Sequence, residues 1–395
     1  MTSIARRLAM SSATLLSSAC LLGLVLIRPP QLATASEAPP GIVIAHSPAV
    51  SKIFLGSPSL AILPNGVYVA AHDTFGPGST QNTEALYESR DSGQSWQKIS
   101  ELQGQYWSSL FVDNGVLYIV GTSGFSGVPT IRRSLDGGRT WTIPRDSETG
   151  VLAAGSGKYF SAAVPVVVAN GRIWRTMEAV ESTGIWAMMM SAPVGSDLLN
   201  AKNWTFSNRL APNSTWLDEK FGGWLEGNAV AKPDGEVVDV LRVYYNALPE
   251  KAAIAPVSAD GTALTFDPEH GFVDIPGGGK KFTIRYDLRT KLYWSLTNAV
   301  TESYGGHNYE RARNTLALVS SPDLRKWSIR RIVLHHPDWN THGFQYVDWQ
   351  FDSDDIVAVV RTSYDDSEGG AHSQHDSNLI TFSRISRFRT NTAGK

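Results

Sequence analysis

Residues 108–120 read SSLFVDNGVLYIV, two apolar runs that meet at Asp113-Asn114-Gly115. Asn-Gly supplies the positive φ angles that a two-residue turn demands, so the stretch predicts a β-hairpin. SPSLAILPNGVYVA (57–70), AAVPVVVANGRIWRT (162–176), EGNAVAKPDGEVVDVLR (226–242), FTIRYDLRTKLYWSL (282–296) and QYVDWQFDSDDIVAVV (345–360) repeat the plan of strand, polar turn and strand. The six turns recur at intervals of 49 to 65 residues, room for one four-stranded sheet each with loops of variable length. No helix-period segment of any length interrupts them, which predicts an all-β fold: a β-propeller of six four-stranded antiparallel blades. The last repeat is one strand short, and GIVIAHSPAV at Gly41 to Val50 offers a free strand to close the ring.

A second repeat lies between the hairpins. SRDSGQSW (89–96) and SLDGGRTW (134–141) fit S-x-D-x-G-x-[ST]-W, the turn motif known as the Asp box, while SPDLRKW (321–327) and GSDLLNAKNW (195–204) are looser copies. Its aspartate caps a tight turn between a blade's outer strands and its tryptophan packs between sheets. The motif therefore marks architecture, not catalysis.

Arg6 and Arg7 precede an apolar run from Leu8 to Ile27, and Ala33-Thr34-Ala35 supplies small residues for cleavage. This reads as a secretory leader over residues 1–35, leaving 36–395 as a single propeller domain, secreted or periplasmic, with no stable membrane insertion. Removing the leader takes Arg6, Arg7 and Arg28 and no acid, so 35 cations against 37 acids become 32 against 37. A mildly acidic chain lacks the clustered Lys and Arg that nucleic acid or an anionic membrane requires. Cys20 is the only cysteine and leaves with the leader, so no disulfide is available and core burial must hold the domain. A monomer is expected. Twelve Trp and thirteen Tyr suit a β core and sugar-stacking loops equally.

Charged residues pair across the hairpins. Glu226 and Arg242 both stand eight residues from Asp234, so they face each other on one side of their ladder, by itself an ordinary cross-strand ion pair. Around a turn at Ser353-Asp354, Tyr346 falls nearly opposite Arg361. In VAAHDTFGPGST (69–80), His72 and Asp73 end a strand at a Gly- and Pro-rich loop, pointing opposite ways along an ideal strand; a histidine there can serve as acid or base near neutral pH. A His-Asp pair recurs at His375-Asp376, which suits a shared structural role in blade closure. His335, His336 and His342 lack the spacing and the Cys or carboxylate support of a tetrahedral zinc site, and GGGKKFTIRYD (277–287) lacks the strand-loop-helix setting of a phosphate cradle. No metal and no cofactor is called for. Arg172, Arg175 and Glu178 read as a charge set on a strand face.

Asp boxes repeated over six blades resemble the sialidase superfamily, and the resemblance covers nearly all of residues 36–395. Members carry a glutamate on a blade's first strand with an arginine sixteen residues later, matched by Glu226 and Arg242. They carry an arginine before a late Asp-box strand, matched by Arg313 in RNTLALVSSPDLRKW (313–327), and a tyrosine eight residues before a turn aspartate in the final blade, matched by Tyr346 and Asp354. The resemblance implies an exo-acting glycosidase whose substrate is a glycan with a terminal anionic sugar. A carboxylate beside the anomeric carbon repels a carboxylate nucleophile, so the family uses a tyrosine. In these terms Tyr346 is the nucleophile, Glu226 its base, His72 or Asp73 the acid, and Arg242 and Arg313 hold the sugar, with Arg361 favouring the phenolate.

The match has gaps. Gly56, in LGSPSLAIL, stands where the family's first arginine would be, and no aspartate near position 81 answers to the family's acid. His72 is similar to the histidine of propeller enzymes that act between rhamnose and glucuronic acid on plant gums, by hydrolysis or elimination. A non-catalytic glycan-binding propeller is the third reading, and Gly56 suits it best.

Overall fold

The six hairpins form, in a computed structural model that describes residues 38–390 except 154, 156 and 303–307. The expected leader, residues 1–35, lies outside the described residues. Across the opening hairpin Asp113 pairs with Val116, and Asn114 and Gly115 take the positive φ angles, 47° and 79°, that its turn needs. Each hairpin seeds one antiparallel sheet, and six sheets make a six-bladed β-propeller.

Blade 6 runs Gly343–Asp352, Asp355–Ser363, Leu379–Ile385, and is completed by Ile42–His46 from the other end of the chain. Burial drives this closure. Ile44 and Ala45 join Leu60, Tyr68, Val359 and Phe382 in the seam between blades 6 and 1.

Four strands per blade is not uniform. Blade 2 has three, Tyr106–Asp113, Val116–Thr122 and Pro129–Ser134, with an isolated bridge between Thr130 and Val151 beside the last. In blades 1, 3 and 4 the first strand is broken into two pieces that both pair with the second. The breaks have local causes. Pro58 and Pro165 cannot donate to a ladder. In blade 1 a second-strand aspartate also takes over a first-strand amide, Asp73 Oδ1 accepting from the Ser57 N–H at 3.1 Å; in blade 4 the Gly227 N–H turns to Glu178 Oε1 at 2.9 Å, and Asp239 Oδ1, at 3.0 Å, shares the Asn228 N–H with Val240 O. Both carboxylates need room, and Gly56 and Gly227 provide it. A Cβ would lie 1.5 Å from Asp73 Oδ1 in the first case and 2.3 Å from Asp239 Oδ1 in the second.

The turns after the outer strands share one hydrogen-bond plan. Asp91 Oδ1 accepts from the Ser95 N–H at 2.9 Å, and the Trp96 indole donates to Gly93 O at 3.2 Å; Asp136, Thr140, Trp141 and Gly138 repeat this, as Asp323, Lys326, Trp327 and Leu324 do. SADGTAL (258–264) forms a fourth such turn on Asp260, with buried Leu264 in the tryptophan's place.

Candidate active site

The starts of first strands and the ends of second strands gather at one end of the ring. There two residues 120 positions apart meet: the Tyr346 hydroxyl of blade 6 donates to Glu226 Oε1 of blade 4 at 2.9 Å. Arg242 lies beside both, its Nη1 2.9 Å from Glu226 Oε2 and 3.4 Å from Tyr346 Oη. The hairpin arithmetic on Glu226 and Arg242 holds, since the Arg242 N–H donates to Glu226 O.

Two groups unread in the sequence complete the cation's surroundings. Arg242 Nε donates to Gly279 O at 2.8 Å and Nη2 to Glu310 Oε2 at 3.3 Å. Arg242 thus uses four of its five donors inside the protein. Glu310, 5% exposed, also accepts from the Tyr245 N–H. Nothing in a single sequence marks a loop glutamate three residues before Arg313 as part of this set.

Arg313 is placed differently. Its Nε donates to Glu310 O at 3.2 Å, its Nη1 to Gln345 Oε1, and its guanidinium carbon lies 5.6 Å from the Tyr346 ring centre. Among the described residues its Nη2 has no hydrogen-bond partner, and Arg313 lines a cavity of about 200 Å³ with Tyr244, Asn308, Glu310, Arg311 and His375. His375 therefore faces this cavity, and it also meets Phe75 of blade 1 edge-on at 5.4 Å, so it sits in the seam between blades 6 and 1. A larger cavity, about 880 Å³, lies at the rim, lined by blades 5 and 6 and the Ser92-Gly93-Gln94 turn of blade 1, and touches none of these groups.

Arg361 is not directly opposite Tyr346. A β-bulge between Gln345 and Asp348 puts Gln345 across from Arg361 and holds Tyr346 at φ +51°. Bulges re-aim side chains next to functional sites. The guanidinium carbon still lies over two rings, 4.8 Å from the centre of Tyr346 and 4.4 Å from that of Phe75, with His375 O and Ser377 Oγ accepting its protons.

Charge balance sets the protonation states. Burial is the largest single influence and would raise Glu226, but the Arg242 charge and the hydrogen bonds from a backbone amide, Tyr346 and Arg242 together outweigh it and hold the carboxyl below its ordinary range. Burial and then the Glu226 charge raise the Tyr346 phenol, against the pull of Arg242, Arg313 and Arg361. The pair therefore rests as a phenol hydrogen-bonded to a carboxylate, and three cations await the phenolate.

His72 and Asp73 part company, as neighbours on a strand must. Buried His72 stacks on Tyr87 at 5.6 Å, its Nδ1 bonds Asp73 O at 2.9 Å, and burial lowers its pKa to about 4. Among the described residues it makes no hydrogen bond or ring contact with Tyr346, Glu226 or Arg242, and a buried neutral imidazole there does not suit the acid or base expected of it. Asp73 faces the ring's axis instead. Its Oδ2 accepts from the Trp107 N–H at 3.1 Å, and burial, opposed by Arg361, pushes its pKa up to about 7. The carboxylate fills the space beside Gly56, so an acid stands where the resemblance called for an arginine.

Directly across the ladder from Asp73 sits Glu84, and both are buried. Two buried carboxyls on one face cannot both ionise at low cost; burial and then Asp73 push Glu84 well above the carboxylate range. The unfolded chain loses that proton near pH 4, so from there upward the folded state bears a growing cost. Glu84→Gln should therefore raise stability by roughly 1–3 kcal/mol more at pH 8 than at pH 5. Urea unfolding at the two values checks this; a gain independent of pH would mean that Glu84 is ionised in the fold.

Arg175 and Glu178 are fully buried, not a solvated strand face. Arg175 Nη2 donates to Trp107 O at 3.2 Å, and Glu178 Oε1 accepts from the Gly227 N–H at 2.9 Å. His336 and His342 stack at 3.6 Å, and among the described residues no group of three or more His, Cys, Asp or Glu is arranged to hold a metal ion.

No protein-family model matches this chain, and no curated protein matches it in sequence. Solved structures do resemble it. A Hadza microbial sialidase aligns with TM-score 0.59 and 13% identity over 88% of this chain and 68% of its own. The α-L-arabinanase of Penicillium chrysogenum, complexed with arabinobiose, aligns with TM-score 0.55 and 13% identity over 89% and 98%. The GH93 α-L-arabinofuranosidase of Fusarium graminearum gives 0.54 and 11% over 89% and 98%. At such identities the likeness concerns the fold.

Proposed function

We propose that this propeller is an exported glycosidase that acts on a glycan at a terminal sugar bearing a carboxylate, sialic or uronic. One observation carries the reading: the 2.9 Å hydrogen bond from Tyr346 to Glu226, with Arg242 against both, made by side chains from different blades. An ion pair serving stability alone needs no tyrosine. A tyrosine nucleophile needs this base and these cations.

In the proposed reaction Glu226 takes the hydroxyl proton as Tyr346 Oη attacks the anomeric carbon. Asp73, protonated up to about pH 7, gives its proton to the leaving oxygen. Water, deprotonated by Asp73, then attacks the anomeric carbon and Tyr346 leaves as a phenolate stabilised by Arg361, 4.8 Å from its ring, and by Arg242; Arg313, whose Nη2 has no partner among the described residues, takes the sugar's carboxylate. Gly56 favours a uronate over a sialic acid as that sugar, since one open guanidinium replaces a three-armed clamp and Asp73 crowds the place of the missing arm. The fold's likeness to sialidases and arabinan-degrading enzymes supports a glycan substrate.

Incubation with a fluorogenic sialoside, with gum arabic and with arabinobiose tests the reading. Release of a terminal acidic sugar is the expected result. Release of neutral arabinose alone would remove the anionic sugar from the proposal, new ultraviolet absorbance from an unsaturated uronate would replace hydrolysis by elimination, and silence on all three would favour a glycan-binding propeller.

A further inference from the structure

Trp107 is the one residue whose backbone touches Asp73 from blade 2. It sits in a β-bulge between Tyr106 and Ser109 at φ +49°, held by its own N–H to Asp73 Oδ2 and by buried Arg175 on its carbonyl. Its indole is not part of a core. Phe160 meets it edge-on at 4.9 Å, Phe125 tilts against it at 5.2 Å and Tyr106 at 4.8 Å. Phe125 is 61% exposed and Trp107 and Phe160 are part-exposed. The loop that carries Phe125 is fastened to blade 1, with the Phe125 N–H donating to Gln81 O at 2.8 Å. Three segments from two blades thus hold aromatic rings open to solvent beside a buried carboxyl.

We propose that Trp107, Phe125 and Phe160 form a stacking subsite for an uncharged sugar ring, the one next to the terminal residue on the leaving-group side. The inference rests on the proposed glycosidase reading for the side it assigns, since Asp73, the acid in that reading, must face the departing oxygen. The occupant's chemistry follows from the rings. No cation or anion points among them, and the apolar C–H face of a neutral pyranose or furanose fits an indole. Two residues with polar side chains border the Phe125 loop, Gln81 through the bond its carbonyl accepts from Phe125 and Asn82, whose Cβ would lie 3.3 Å from a Cβ at Gly124. A protein partner is disfavoured by size, because three side chains fall far short of the roughly 800 Å² per partner of a stable interface.

Binding separates this inference from the catalytic one. Tryptophan fluorescence of the full chain is titrated with lactose, galactobiose and arabinobiose, and separately with free glucuronic acid. At least one neutral disaccharide should bind saturably, with affinity reduced at least tenfold in Phe125→Ala and in Trp107→Ala and unchanged in Tyr346→Phe. Phe125 is a surface group, so its removal leaves the fold intact and keeps the test valid if Trp107→Ala unfolds. No saturable binding of any neutral disaccharide, or equal binding in Phe125→Ala, overturns the subsite whether or not the protein hydrolyses glycans. Binding with no hydrolysis keeps the subsite and removes the catalytic reading.

Discussion

Tyr346→Phe is expected to lower turnover at least ~10³-fold while leaving the fold unchanged. The variant loses two hydrogen bonds, the one to Glu226 and the longer one from Arg242, and Glu226 keeps Arg242 on its other oxygen, so stability should change by no more than about 2 kcal/mol. Glu226→Gln should be comparably slow, because an amide cannot take the phenol's proton. The double variant should then be scarcely slower than either single one, since the second change removes a partner from a step already lost. A fluorinated sugar that traps the intermediate gives an independent reading: mass spectrometry should find the label on Tyr346. Full activity in Tyr346→Phe, or a label on Glu226 or Asp73, would end the case for a tyrosine nucleophile.

What the chain discloses by itself depends on the range of the interaction. Hairpin signals and the aspartate-capped turns after the outer strands are local, so six blades and the closing strand are legible, and the Glu226–Arg242 pair follows from counting outward from one turn. Counting fails where the ladder slips. The bulge at Tyr346 moves Gln345 opposite Arg361, and no residue there announces the extra unit. The choice between His72 and Asp73 stayed open because of the two-residue period of a strand: neighbours point opposite ways, and only the register against Glu84 decides which of the two lies beside it. Gly56 looked like a loss. Its meaning lies in Asp73, seventeen positions on, whose carboxylate leaves no space for a side chain. Glu310 and Trp107 are set by loops and long-range contacts, which a pattern of apolar residues does not encode.

Arg242→Met is expected to cost roughly 3–5 kcal/mol of stability, the range for removing one partner of a buried ion pair. Arg242 is 5% exposed, and its loss strands Glu226 at 2% exposure, weakens the hold on Glu310 and leaves Gly279 O unpaired. The sign of the pH dependence follows from Glu226. With Arg242 present its folded pKa lies below the unfolded value, so it adds stability above about pH 4 that is lost as pH falls through the folded pKa. Without Arg242 burial dominates, the folded pKa rises above the unfolded one, and the same carboxyl destabilises the fold as pH climbs past about 4. The deficit of the variant should therefore widen from pH 4 to pH 7 in urea unfolding. Adding Glu226→Gln should recover part of it at pH 7 and little at pH 4, because the second change removes a charge that exists only at the higher value. A deficit equal at both pH values would show that Arg242 acts by packing, and that Glu226 carries a proton in the native protein and cannot serve Tyr346 as a base.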